Sequence, residues 1–158
     1  DKSELIFAGF EKNPYYEKLE KLSEECLKDQ EKKKIVLNAH LKREEILDLY
    51  RTADVFVCSS KSETWSIVAH EAAAAAMPII STDVGVYGEI EGAFIVQNEE
   101  EMQEAMEKLY YSFEERKRRG EAAYRWLCTK GCRIEDKVDW LEKELLALRE
   151  RRKEVGEN

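Results

Sequence analysis

The stretch DVFVCSSKSETWSIVAHEAAAAAMPIISTDVG, Asp54–Gly85, decides the fold. DVFVCS (Asp54–Ser59) is an apolar run of the kind found in strands covered on both faces of a sheet. A polar loop over Ser60–Glu63 follows. The alanine-rich segment then predicts a helix over Thr64–Ala76, and Pro78–Thr82 predicts a strand. Strand, helix and strand joined by short connections imply parallel strands flanked by helices. The flanks repeat the pattern. ELIFA (Glu4–Ala8) reads as a buried strand ending at Gly9, and Asn13-Pro14 opens a helix with Tyr15, Leu19, Leu22 and Cys26 on its inner face. KIVLN (Lys34–Asn38) is a second strand, and Lys42–Thr52 a helix with Ile46, Leu47, Leu49 and Tyr50 turned inward. Ala93–Gln97 is the last strand, ahead of helices near Glu99–Tyr111, Phe113–Thr129 and Ile134–Arg152. The reading is a Rossmann-like α/β domain: one parallel sheet flanked by helices, spanning residues 1–158, with a late helical segment at about 113–154.

Composition removes several functions. The 158 residues carry a net charge of −8, which opposes a nucleic-acid partner because phosphate contacts need a basic face. The basic runs Arg116–Arg119 and Arg149–Lys153 are flanked by acids and read as solvated helix faces. No apolar run reaches membrane-spanning length and no signal peptide opens the chain. Cys26, Cys58, Cys128 and Cys132 are scattered, with no histidines spaced to complete a zinc site, so reduced thiols, no metal and a cytoplasmic location are expected. Asp1 leads straight toward a strand, which suggests a piece of a longer polypeptide.

Glu63 and Glu71 stand with seven residues between them, at the sheet edge where such folds bind ligands. On a continuous helix their spacing is about 12 Å, with the carboxylates turned by about 80° onto neighbouring faces. The N–H groups of Thr64, Trp65, Ser66 and Ile67 would face a phosphate at the helix start. The carboxylates, which only accept hydrogen bonds, would suit sugar hydroxyls. A plainer reading stands beside this one. Acids near a helix start are favoured by its dipole, and an alanine run packs closely without binding anything.

The string S-x-x-E-(seven residues)-E-A-A-A-A-A-M-P-I-I-S-T-D-V-G, running on to Glu89, resembles the donor-binding motif of retaining GT-B glycosyltransferases. It is most similar to the large family 4, or group 1, of sugar-nucleotide-dependent enzymes. LIFAG, VLNAHLKREEILDLYRTADVFVCSS and GCRIEDKVDWLEKEL resemble the segments around that motif, so the likeness runs over roughly Glu4 to Leu148. It implies the C-terminal half of a GT-B fold. The full enzyme would move a hexose from a nucleotide diphosphate sugar, UDP-, GDP- or ADP-linked, to a glycan or lipid-linked acceptor with retention. By position, Glu63 would meet the transferred sugar and stabilise charge there, and Glu71 would hold the ribose. Thr64–Ile67 would face the diphosphate, the base would lie near Asn38–Leu41 with His40, and Gly9 and Phe10 would line the cleft. The family usually needs no metal or other cofactor. Its diphosphate-clamping arginine and lysine and its acceptor domain lie upstream of the LIFAG-like strand, so the chain taken alone should bind donor without turning it over. The resemblance also allows peripheral membrane association of the full enzyme.

Three positions depart from the family. Ser66 stands where glycine often follows the aromatic, Ala76 where glycine usually precedes the proline, and Ala39 where the nucleotide-side loop commonly has glycine. These departures favour, as alternatives, a non-catalytic nucleotide-binding or interaction module; a nucleotide-sugar epimerase or sugar phosphorylase shares the scheme too. His70 reads as a packing or orienting residue. Trp65 reads equally as stacking on a ligand and as packing inward. Gly85, Gly88 and Gly92 mark a turn-rich loop in which Glu89 caps a short helix.

Overall fold

The structure, a computed structural model, describes residues 3–10, 14–28, 33–129 and 143. The helix expected over Ile134–Arg152 and the thiol of Cys132 lie outside the described residues. The chain divides into two compact units, Asp1–Thr52 and Ala53–Asn158.

In the first unit β1 (Ser3–Phe10) pairs in parallel with β2 (Lys33–Ala39), with Leu5 opposite Ile35 and Phe7 opposite Leu37. The register slips between Ala8 and Phe10, so a bulge falls at Gly9, where a strand tolerates one best. Glu4 lies opposite Lys34 and its carboxylate accepts from the ammonium at 2.8 Å, an exposed pair worth only a few tenths of a kcal/mol. Helix α1 (Pro14–Leu27) starts on a proline whose missing N–H costs nothing at that position. Its inner face differs from the expected one. Tyr16 is buried and donates its hydroxyl to the Leu37 carbonyl at 3.1 Å, whereas Tyr15, Leu22 and Cys26 are exposed. Leu19 of the expected face is half-buried, and Tyr16, which that face left out, is the buried residue of the helix. Helix α2 (Arg43–Thr52) keeps Ile46, Leu47, Leu49 and Tyr50 half-buried as expected, and Glu45 closes its first turn by accepting from the Lys42 N–H at 2.8 Å.

The second unit holds a parallel sheet in the order β3 (Phe56–Cys58), β4 (Ile79–Thr82), β5 (Phe94–Val96). Phe56 pairs with Ile79, and Ile80 with Phe94. Successive residues of β4 point to opposite faces, yet Ile79, Ile80 and Ser81 are all fully buried, so this central strand is covered on both sides. One cover is α4 (Glu99–Tyr111), whose Ala105 and Leu109 pack on Ile80 and Val96, with Val55, Val57, Phe94 and Met102 around them. Asn98 caps α4 by accepting from the Glu101 N–H at 2.8 Å, while the Glu101 carboxylate reaches back to the Gln97 N–H at 2.9 Å.

Helices α3 (Ile67–Ala74) and α5 (Phe113–Thr129) pack on each other and both touch β4. Their contact explains the alanines. Ala69, Ala72 and Ala73 are fully buried, facing a helix that buries Gly120, Ala123 and Trp126. At Gly120 the α5 backbone comes so close to α3's end that an added Cβ would sit 1.9 Å from the Ala76 carbonyl oxygen. Ala72 and Ala73 are thus packing positions, the plainer of the two readings for them, whereas Ala74, Ala75 and Ala76 of the same run are exposed. Helix α5 is fixed at its start by Glu115, whose N–H donates to Ser112 Oγ. The Glu115 carboxylate accepts two bonds from Arg118, both at 2.9 Å, and one from Arg119 at 2.8 Å. Those bonds, Arg118's first, hold it well below the ordinary carboxylate value, at about 2. Arg119 also lies flat over Phe94, 3.3 Å from the ring centre, and donates to the Gly92 carbonyl at 2.7 Å. One arginine thereby ties α5 to the end of the sheet.

Candidate functional site

The carboxyl end of β3 leads into the loop that carries Glu63. The buried Cys58 thiol donates to Ser60 Oγ at 3.4 Å, and Ser60 Oγ donates to the Glu63 carboxylate at 3.1 Å. From β4, Thr82 donates its hydroxyl to the Ser60 carbonyl. Glu63 is half-buried, and the Ser60 that bonds its carboxylate is itself held by Cys58 of β3 and Thr82 of β4.

The loop after β4 closes on the same place. Gly85 has φ +54, and a Cβ there would meet the Glu63 Cβ at 3.0 Å and the Thr64 carbonyl at 3.1 Å. Only glycine allows both the left-handed turn and that approach. Two residues later Tyr87 opens a 3-10 turn (Tyr87–Glu89), fully buried and stacked on Phe56. Its hydroxyl shares a 2.8 Å hydrogen bond with Ser66 Oγ. Burial first, and the hydrogen bond with Cys58 second, push that hydroxyl above the usual phenol range, so it stays protonated. Glu89 ends the turn and is exposed rather than capping it.

Helix α3 begins later than expected. Thr64, Trp65 and Ser66 precede it, and Ser66 is its N-cap in the left-handed region, φ 47 and ψ 87. It also ends early, because Ala76 is left-handed at φ 52. Glu63 thus does not ride on the helix that carries Glu71, and the 12 Å expected from helical rise does not apply. Of the four expected N–H donors, Ile67 alone belongs to the helix, at its first position; Ser66 is the cap, and Thr64 and Trp65 lie in the loop. Trp65 is 56% exposed and stacks on His70 at 5.0 Å, so it packs locally and still presents an open face. The His70 ring lies between Trp65 and Trp126, with Nδ1 at 3.0 Å from the Ser66 carbonyl. A carbonyl only accepts, so Nδ1 carries the proton, and Nε2 is buried without a hydrogen-bond partner, as is Trp126 Nε1. Glu71 follows on α3, half-buried.

In the first unit Gly9 and Phe10 form the carboxyl end of β1, and His40 comes directly after β2, exposed and left-handed at φ 57. Each expected residue of this unit therefore stands at the carboxyl end of a parallel strand. Among the described residues no group of three His, Cys, Asp or Glu is placed to hold a metal ion, and no helix is long and apolar enough to cross a membrane. Sequence reasoning missed Tyr87. Its signal was an aromatic between two glycines in a loop otherwise read only as turns.

Parallel strands with loops converging at their carboxyl ends define a Rossmann-like α/β protein, here with the fold of the C-terminal half of GT-B glycosyltransferases. The profile of the family described as Glycosyl transferases group 1 matches residues 1–126, and the chain belongs to that family. Its fold is similar to that of the C-terminal domain of a glycosyl transferase group 1 family protein (LpcC) from Francisella tularensis. The two share 21% identity over 82% of this chain and 85% of that one, with a TM-score of 0.67. A second likeness, at 18% identity and TM-score 0.67, is to sucrose-phosphate synthase from Thermosynechococcus elongatus; it covers 92% of this chain but 38% of the synthase. No curated protein matched the chain.

Proposed function

We propose that this chain is the donor-binding part of a retaining hexosyltransferase that uses a nucleotide diphosphate sugar. Glu63 meets the transferred hexose, Glu71 the ribose hydroxyls, and the turn Thr64–Ile67 receives the diphosphate. Gly9, Phe10 and His40 contribute on the nucleotide side, by the same resemblance. The observation that carries this reading is the anchoring of Glu63. A half-buried carboxylate is fixed by Ser60 at the sheet edge, against Gly85, immediately before a left-handed turn that leads into α3. A fixed acceptor beside backbone donors suits a sugar joined to a diphosphate. The chemistry would be electrostatic: the site steadies the departing diphosphate and an oxocarbenium-like sugar, with no nucleophile required of this unit. The full enzyme would pass the hexose to a glycan or lipid-linked acceptor bound by a partner domain, in the cytoplasm.

Calorimetric titration with UDP, GDP, ADP and their sugar-linked forms tests the proposal. At least one diphosphate should bind, and Glu71→Ala should weaken it about tenfold, the worth of a charged hydrogen bond to a hydroxyl. Glu63→Ala should weaken the sugar-linked form while leaving the bare diphosphate unchanged. Absence of heat with every ligand would refute the reading and leave a non-catalytic module on this fold.

A further inference from the structure

Ser66 occupies a backbone conformation that favours glycine, and its surroundings show how it is held there. Its side chain is buried, with 8% exposure, and its Oγ meets the Tyr87 hydroxyl at 2.8 Å. Its carbonyl accepts from two groups, the Ala69 N–H at 3.2 Å and His70 Nδ1 at 3.0 Å. Tyr87 cannot swing away, being fully buried and stacked on Phe56. A left-handed non-glycine residue persists only when its neighbours over-determine it, and such positions gather at ligand clamps. Of the three non-glycine residues with positive φ among those described, His40 and Ala76 are exposed, whereas Ser66 is buried and gripped at both its hydroxyl and its carbonyl.

We infer that Tyr87 and His70 are positioning residues that hold the left-handed turn at Ser66, and so preset the Ile67 N–H at the first position of α3 to meet the anionic linker of a nucleotide diphosphate. The identity of that ligand rests on the function proposed above; the clamp itself does not. Glycine would reach the same backbone turn unaided but would hold it less firmly, having more conformations to lose. The serine–tyrosine pair replaces that freedom with a buried hydrogen bond. It also couples the turn to the loop after β4, because Gly85 already presses on Glu63 and Thr64 from that loop. Sugar-side and phosphate-side groups are thereby set by one short segment, Gly85–Tyr87.

The test is a double-mutant cycle with two readouts. Tyr87→Phe keeps the ring and removes the hydroxyl. Amide hydrogen exchange at Ala69, whose buried N–H donates to the Ser66 carbonyl, should quicken about five- to tenfold, the worth of one net hydrogen bond. The dissociation constant of whichever nucleotide diphosphate binds best should rise by a similar factor. Adding Ser66→Gly to Tyr87→Phe should recover part of both losses, because glycine reaches the turn without strain though it holds it less firmly, whereas Ser66→Ala should recover none, since alanine keeps the strain and lacks the hydroxyl. His70→Gln, which can still donate to the Ser66 carbonyl, should retain slow exchange where His70→Ala does not. Unchanged exchange in Tyr87→Phe, or strict additivity of the two changes, overturns the clamp. If the native chain binds no nucleotide, the donor reading fails and the exchange cycle alone still decides the clamp.

Discussion

Replacing Gly120 by alanine sets two effects against each other, and geometry decides between them. In an isolated helix the change stabilises by about 1 kcal/mol, since glycine is a poor helix former. In α5, however, the new Cβ would stand 1.9 Å from the Ala76 oxygen and 2.8 Å from its carbonyl carbon. That is roughly 1.5 Å inside the ~3.5 Å at which nonbonded atoms rest. Both obstructing atoms are backbone, so no rotamer relieves the clash. Helix α5 must retreat from α3 by more than an ångström, opening the seam in which Ala69, Ala72, Ala73, Ala123 and Trp126 are buried. Overpacking of this kind costs about 1–3 kcal/mol and more when backbone is involved. Loosened contacts along the seam add to it, so a net loss of about 3 kcal/mol is expected after the helix gain is subtracted. Urea unfolding followed by far-ultraviolet circular dichroism measures it as a midpoint lowered with little change in slope. A midpoint equal to or above the native one would refute the close approach of α5 to α3, and with it the packing explanation of Ala72 and Ala73.

The same seam makes the opposite prediction at its other side. Ala76→Gly relieves a left-handed alanine, worth about 1–2 kcal/mol, against about 0.4–1 kcal/mol for the freer unfolded chain, so stability should rise by about 0.5–1 kcal/mol and the midpoint by a few degrees; an unchanged or lowered Tm contradicts it. At Glu115 the folded carboxyl titrates near 2 against an ordinary 4.5, so between those values the unfolded chain binds the proton and the native one does not. Its contribution is whole above about pH 5 and drains away as the pH falls toward 2. Stability measured against pH should therefore fall less steeply over that window in Glu115→Gln than in the native chain, and parallel curves would show the arginine contacts to be without effect.

What the sequence made legible is what periodicity and composition encode. The five strands and the helices through Thr129 were readable in kind and order, because apolar runs bounded by polar turns leave few alternatives. The ends of α3 were not. A helix propensity summed over an alanine run says nothing about φ at Ser66 or Ala76, and both limits are set there by left-handed residues. The inner face of α1 was misread for a related reason. Apolar spacing selected Tyr15, Leu19, Leu22 and Cys26, and it carries no information about the long-range bond that Tyr16 makes to the Leu37 carbonyl of β2. Glu63 and Glu71 were visible as a pair, but the grip on Glu63 comes from Ser60, Thr82 and Gly85, which meet only after three segments fold together. Tyr87 was illegible as a partner because its bond to Ser66 spans 21 residues and two loops.

The departures from the family pattern are thus not alike. Ser66 and Ala76 both occupy backbone positions that favour glycine, and each costs about 1–2 kcal/mol to hold there. At Ala76 the methyl group is exposed and only backbone holds the turn: the Ala76 and Met77 N–H groups donate to the Ala73 and Ala72 carbonyls, both at 3.0 Å, and Gly120 of α5 lies against the Ala76 carbonyl. At Ser66 the side chain is buried, its hydroxyl is bonded to a fully buried tyrosine, and its carbonyl is bonded to a histidine packed between two tryptophans. A turn gripped at both its hydroxyl and its carbonyl is held more firmly than a glycine in the same place, which has more conformations to lose. Such a hold is not part of the α3–α5 seam, whose buried residues are Ala69, Ala72, Ala73, Gly120, Ala123 and Trp126. It has value where N–H groups must already point at a charged ligand before that ligand arrives, because donors fixed in advance need no reorganisation on binding. On the function proposed above, the loss of glycine at this position therefore does not count against ligand binding.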